Sequence, residues 1–228
     1  MGQVAILGGT FDPVHWGHFW LAQTALSQLN LDKVIWVPAR RPPHKRGSAY
    51  EHRRLMVERA IADNPAFAVA PIETAHTEPD YAIRTLAYLQ DVYPNHQWYW
   101  IVGLDTFGTL PLWYRREELI PACDWLVAPR RVPMSETDIF TTSDSGRKER
   151  DTQESVLCRR VAHQLAAQNI PIRWQLLQMP LIGISSSLIR QYCRQHRSIR
   201  YLVPEAVRAY IMTHNLYIES IVGDHKDI

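Results

Sequence analysis

The stretch Gly8-Gly9-Thr10-Phe11-Asp12-Pro13-Val14-His15-Trp16-Gly17-His18 limits what this chain can fold into more than any other. It follows an apolar run, Val4-Ala5-Ile6-Leu7, of the length of a buried strand. It precedes a segment in which Phe19, Ala22, Leu26 and Leu29 recur at helical spacing. The order is therefore strand, tight loop, helix. Paired glycines let the backbone turn sharply and approach a ligand without a Cβ in the way, while the following helix aims free N–H groups and the positive end of its dipole back at the loop. A loop of this kind draws phosphate.

His15 and His18 stand at i and i+3, which predicts both imidazoles on one face of the first helical turn, with ring N–H groups reaching one anion and neutralising its charge. Two ordinary helix-start histidines would give the same spacing. Half a zinc site would too, but zinc needs further ligands, and no Cys-x-x-Cys or nearby His cluster supplies them.

Beyond this stretch the chain alternates short apolar runs with helical patterns, as a parallel α/β sheet does. Val34-Ile35-Trp36-Val37, closed by Pro38, reads as a second strand, and the basic, proline-rich Ala39 to Gly47 as a loop at its end. A helix over Glu51 to Asn64 and a strand over Phe67 to Ile72 follow, then a helix from Tyr81 with Ala82, Leu86, Leu89 and Tyr93 on one stripe. The most apolar strand, Trp98 to Val102, delivers Gly103-Leu104-Asp105 to the carboxyl edge of the sheet. Trp125 to Ala128 is a fifth strand and Ile172 to Leu177 a sixth, with a helix between them carrying Val156, Leu157, Val161 and Leu165 on one face. In Ile184-Ser185-Ser186-Ser187-Leu188-Ile189-Arg190 the serines can cap a helix while offering hydroxyls and N–H groups to phosphate, and Arg190 lies one turn inside. A last helix begins at Pro204.

A chain of 228 residues, 46% hydrophobic, is long enough for one α/β core, and its net charge of +2 is too mild for a nucleic-acid binder. Cys123, Cys158 and Cys193 are odd in number and far apart, which suggests reduced thiols in the cytoplasm. The longest apolar run, Trp98 to Leu104, is too short to span a bilayer, and the start of the chain has no basic leader. Residues 129–152 are polar and aperiodic, an excursion on one domain over 1–220, with 221–228 as a flexible tail. Whether the chain forms a homo-oligomer is left open.

The first motif resembles the nucleotidyltransferase superfamily with the His-x-Gly-His signature, and in its Gly-Gly-Thr-Phe-Asp-Pro-Val-His form it is similar to the bacterial nicotinate mononucleotide adenylyltransferases. The resemblance implies a single-domain, Rossmann-like, doubly wound parallel sheet. It also implies adenylyl transfer from ATP, carried with Mg2+, to nicotinate mononucleotide, giving deamido-NAD and pyrophosphate. His15, His18, Lys45 and Arg190 would be catalytic. ATP would meet Gly8, Gly9, Thr10, Phe11, His18, Gly103, Asp105, Ser185, Ser186 and Arg190, with Asp105 accepting from ribose or orienting the metal-bound triphosphate. Lys45, Arg53, Ile83, Thr85, Trp113 and Tyr114 would receive the acceptor. Lys45 and Arg53 would hold its phosphate, Trp113 would stack on the pyridine ring, and the N–H groups of Ile83 and Tyr114 would meet the carboxylate. A surface arginine is the alternative for Arg53, a helix cap for Asp105 and Ser185, and plain core for Trp113 and Tyr114. Pro79-Asp80-Tyr81-Ala82 departs from the family's Pro-Ser-Tyr-Thr at Asp80 and Ala82. Nicotinamide mononucleotide or phosphopantetheine as acceptor, a class I aminoacyl-tRNA synthetase remnant, and a nucleotide-binding module without catalysis are the competing readings. Length argues against the synthetase, and intact His15, His18 and Arg190 against the module.

Overall fold

The computed structural model describes residues 2–40, 47–71, 81–129, 153–180 and 182–218. Within them, β1 (Gly2–Gly9), β2 (Lys33–Pro38), β3 (Phe67–Val69), β4 (His96–Gly103), β5 (Asp124–Ala128) and β6 (Arg173–Leu176) form one sheet in the order β3-β2-β1-β4-β5-β6. Every pairing is parallel. This is the doubly wound Rossmann-like order, and its direction reverses between β1 and β4, so a ligand crevice belongs outside the carboxyl ends of those two strands.

Side chains along each strand alternate between two cores, as the period of a pleated strand requires. Ala5, Leu7, Val34, Trp36, Tyr99, Ile101 and Leu126 point to one face, beneath α1 (Trp16–Leu29), α2 (Tyr50–Ile61), α7 (Ser186–Arg194) and α8 (Glu205–Thr213). Val4, Ile6, Ile35, Val37, Trp98, Trp100, Val102, Trp125 and Val127 point to the other. That face is covered by α3 (Ala82–Val92), α4 (Leu104–Phe107), α5 (Arg116–Ala122) and α6 (Gln153–Ala166). Buried on both faces, the strands read as nearly continuous apolar runs.

Element ends differ from the sequence expectation by a few residues. The helix expected to reach Asn64 stops at Ile61, because Asn64 turns its Oδ1 to the Ala66 N–H at 3.0 Å and its own N–H to Ile61 O. An asparagine that bonds its local backbone competes with the helix ladder, and the Pro65 that follows disfavours helical geometry at Asn64. Strand β3 closes at Val69, on the sheet edge. Cys123, Cys158 and Cys193 are buried and unpaired. No helix among the described residues is long and apolar enough to cross a membrane.

Candidate active site

Strand β1 ends at the reversal of the sheet, and the loop leaving it is folded over its own strand. Phe11 takes a left-handed backbone conformation at φ 52° and buries its ring, 1% exposed, against Trp36 at 5.4 Å and edge-on to His18 at 5.0 Å. Gly9 makes this possible: a Cβ there would lie 2.9 Å from the Phe11 ring. Gly8 is not covered in this way, since the nearest atom to a Cβ at that position would be Trp100 Nε1 at 3.8 Å. Phe11, expected among the ATP contacts, therefore puts its side chain in the core and has only main chain to offer a nucleotide.

His15 lies outside the first helical turn, where it was expected. It is the N-cap of α1, with an extended backbone, and its N–H donates to His18 Nδ1 at 3.2 Å. A backbone N–H can only donate, so His18 Nδ1 is unprotonated and the ring proton of a neutral His18 sits on Nε2. The imidazoles stack with centroids 3.8 Å apart, and the His15 ring covers Gly17, where a Cβ would lie 3.0 Å from it. The glycine of His-x-Gly-His leaves room for that ring. His15 is 6% exposed, and its Nδ1 has no hydrogen-bond partner among the described residues. Burial lowers the His15 pKa from 6.5 to about 4. Burial first, then the neighbouring His15, holds His18 well below its ordinary value. The protein alone thus favours the neutral form of both rings, in which they act as hydrogen-bonding groups. Only an adjacent negative charge, such as a phosphate, would raise them.

The positive charge comes from α7. Arg190 Nη1 donates to Asp12 O at 2.6 Å across 178 residues, and Nη2 lies 3.3 Å from Ser187 Oγ. Ser186 Oγ donates to Pro13 O at 2.9 Å, so the serine-rich motif clamps the glycine-rich loop. Ser185 is the N-cap of α7, accepting from the Leu188 N–H at 3.2 Å. Of the two hydroxyls expected on ATP, the Ser186 proton is engaged within the protein, whereas Ser185 Oγ only accepts and keeps its O–H to offer a ligand beside the half-buried Arg190.

Arg53 is not a surface residue. It is 2% exposed, with Nε on Ser48 O at 3.1 Å, Nη1 on Thr10 O at 2.7 Å and Nη2 on Arg40 O at 3.3 Å. Its guanidinium ties together the loops after β1 and β2 and the approach to α2. Asp12, which the sequence analysis did not single out, sits under the same loop and is bonded by the Tyr217 hydroxyl and the Ser48 N–H. Asp12 could have been found, since it belongs to the motif; a lone tyrosine after the last helix carries no local signal.

On the far side of the switch point, Gly103 caps α4 with no atom within 4 Å of a Cβ position, and Asp105 is exposed one residue into that helix. Ala82 and Ile83 open α3, so their N–H groups lie outside its hydrogen-bond ladder, whereas the Thr85 N–H bonds to Tyr81 O at 3.2 Å. Tyr81 packs on Tyr114 with ring centroids 4.3 Å apart, joining the start of α3 to the loop before α5. The Trp113 ring stands edge-on to Trp100 at 6.2 Å and Trp125 at 5.8 Å and donates from Nε1 to Thr109 Oγ1 at 3.1 Å. It is wedged into the core on one side and only partly buried. Lys45, Asp80 and the excursion from 130 to 152 lie outside the described residues. Among those described, no three His, Cys, Asp or Glu converge as a cation site.

The cytidylyltransferase-like family matches residues 6–192, from β1 into α7. A curated relative from Trichormus variabilis, named probable nicotinate-nucleotide adenylyltransferase, is 51% identical over 219 residues, 96% of this chain and 99% of its own. The chain belongs to this family. A Synechococcus relative of the same name is 42% identical over 95% of this chain and 98% of its own. The fold is shared with the nicotinic acid mononucleotide adenylyltransferase of Plasmodium falciparum, solved in complex with NaAD, at TM-score 0.68 and 19% identity over 95% of this chain and 98% of that one. The family match spans both motifs that the structure brings into contact, the loop from Gly8 to His18 and the start of α7.

Proposed function

We propose that this protein transfers the adenylyl group of ATP to nicotinate mononucleotide, releasing pyrophosphate and forming deamido-NAD, as a cytoplasmic enzyme of NAD biosynthesis. The supporting observation is the meeting of the two motifs at the reversal of the sheet, where Arg190 bonds to Asp12 O beside the stacked His15 and His18.

An acceptor phosphate monoester has a second pKa of roughly 6, so it needs no general base near neutral pH. Its oxygen bonds to the α-phosphorus of ATP as the bond from that phosphorus to the β-bridging oxygen breaks, and pyrophosphate carries the electron pair away. The protein must align the two and stabilise the charge that moves. His18 donates from Nε2 to phosphate oxygen, with its tautomer set by the His15 N–H. Arg190 supplies positive charge to the leaving end, and Lys45 to the acceptor phosphate. Magnesium would supply Lewis-acid polarisation of the triphosphate, held mainly by phosphate and water with Asp105 nearby; an all-oxygen shell of that kind needs no carboxylate cage. On the acceptor side, main-chain N–H groups at Ile83 and Tyr114 would take the nicotinate carboxylate, and the exposed part of Trp113 the ring. Arg53 would act on the acceptor through the loops that it ties, since three of its donors are already engaged.

A carboxylate accepts from two N–H donors, whereas the amide analogue turns an NH₂ toward one of them and leaves it unpaired in a desolvated pocket. Nicotinate mononucleotide should therefore exceed nicotinamide mononucleotide in kcat/KM by at least about a hundredfold. A coupled assay of pyrophosphate release with each acceptor tests this. Equal efficiencies for acid and amide would leave adenylyl transfer standing and remove the deamido assignment.

A further inference from the structure

The chemistry above leaves one buried carboxylate of the first motif unused. Asp12 is 3% exposed, and its oxygens are shared between distant parts of the chain. Oδ1 accepts from the Tyr217 hydroxyl at 2.7 Å across 205 residues, and Oδ2 accepts from the Ser48 N–H at 3.3 Å. Its main-chain O takes Arg190 Nη1 at 2.6 Å, while the same Nη1 stays 3.9 Å from Oδ2. Arg190 is thus fixed by a neutral carbonyl and stands beside a carboxylate without closing a hydrogen bond to it. The arrangement is delicate, because a buried carboxylate and a guanidinium in reach of each other gain from a bidentate pair. Two hydrogen bonds hold the carboxylate off that pair: the Ser48 N–H on Oδ2, the oxygen nearer Arg190, and the Tyr217 hydroxyl on Oδ1. Tyr217 comes from the turn after α8, in a left-handed conformation at φ 66°, and burial together with Asp12 raises its hydroxyl pKa, so it remains a donor.

We propose that Tyr217 is a positioning residue for ATP: by holding Asp12 Oδ1, it keeps the carboxylate from capturing Arg190 and leaves that guanidinium directed at the triphosphate. This rests on the phosphate role given to Arg190 above. Loss of the hydroxyl frees the carboxylate to rotate and close its gap to Arg190, now 3.9 Å at Oδ2, and the resulting pair withdraws positive charge from the triphosphate.

A double-mutant cycle on the whole chain tests it. Tyr217→Phe keeps the ring and removes the hydroxyl, with its hydrogen bonds to Asp12 and to the Ser48 side chain. It should lower kcat/KM for ATP about tenfold while KM for nicotinate mononucleotide changes less than about twofold, since a general loosening would move both. In an Arg190→Ala background the same substitution should change ATP kinetics less than about twofold, and likewise in an Asp12→Asn background, where no negative charge competes for the arginine. Melting temperatures of all variants are read alongside, so that lost stability is separated from lost positioning. The same factor in every background, or no effect of Tyr217→Phe on ATP use, overturns the proposal. If Arg190→Ala alone leaves ATP kinetics unchanged, the phosphate role of Arg190 fails first, and this inference fails with it by a separately readable result.

Discussion

Arg53→Ala separates a ligand arginine from one that holds the protein together. The substitution removes the hydrogen bonds to Ser48 O, Thr10 O and Arg40 O and leaves three carbonyls without their donor in a region where the arginine itself is 2% exposed. An orphaned buried acceptor costs about 1–3 kcal/mol, and water entering the space left by the side chain restores part of that. Taking about 1–1.5 kcal/mol for each of the three carbonyls, the loss is about 3–5 kcal/mol in total. For a chain of this length one kcal/mol corresponds to about 2–4 °C, so the melting temperature should fall by about 6–20 °C. Arg53→Lys, whose single ammonium lacks the planar fork, should recover less than half of the loss. The assay is thermal unfolding followed by circular dichroism, with KM for ATP and for the acceptor measured well below the transition. Because the tied loops border both substrates, both KM values should rise. A melting temperature within about 2 °C of wild type, with only the acceptor KM raised, would refute the structural argument and make Arg53 a direct phosphate ligand.

His18→Ala should lower kcat at least about a hundredfold, as expected for an oriented donor worth about 3 kcal/mol. His18→Asn, whose Oδ1 can still accept the His15 N–H, should keep more of the wild-type melting temperature yet remain as slow, and an asparagine variant with near-normal turnover would remove the Nε2 donor from the mechanism. Because the folded His15 pKa lies at about 4 and the unfolded one at 6.5, the unfolded state binds the proton first as pH falls. Stability is then fully present above pH 6.5 and is lost progressively between 6.5 and 4, by up to about 3 kcal/mol from this group. The melting temperature should therefore drop over that window, and His15→Asn, which removes the titrating ring, should flatten the drop; parallel pH profiles for the two proteins would contradict it.

What the sequence determined by itself was local. The order strand, glycine loop, helix over Val4 to Leu29, the alternation of apolar runs with helical stripes, and the serine cap at Ser185 all follow from periodicity and backbone sterics within about a dozen residues, and so does the strand count of the doubly wound sheet. The tertiary structure decided where side chains of the same motifs spend their hydrogen bonds. Arg53 meets a carbonyl 43 residues away, Arg190 one 178 away, and Tyr217 a carboxylate 205 away, and none of these partners leaves a mark on the sequence near it. The charge of the two histidines was likewise beyond a pattern argument. Spacing brings the rings together, but their protonation depends on the desolvation contributed by every element packed around them, and that sum exists only once the chain has closed over the loop.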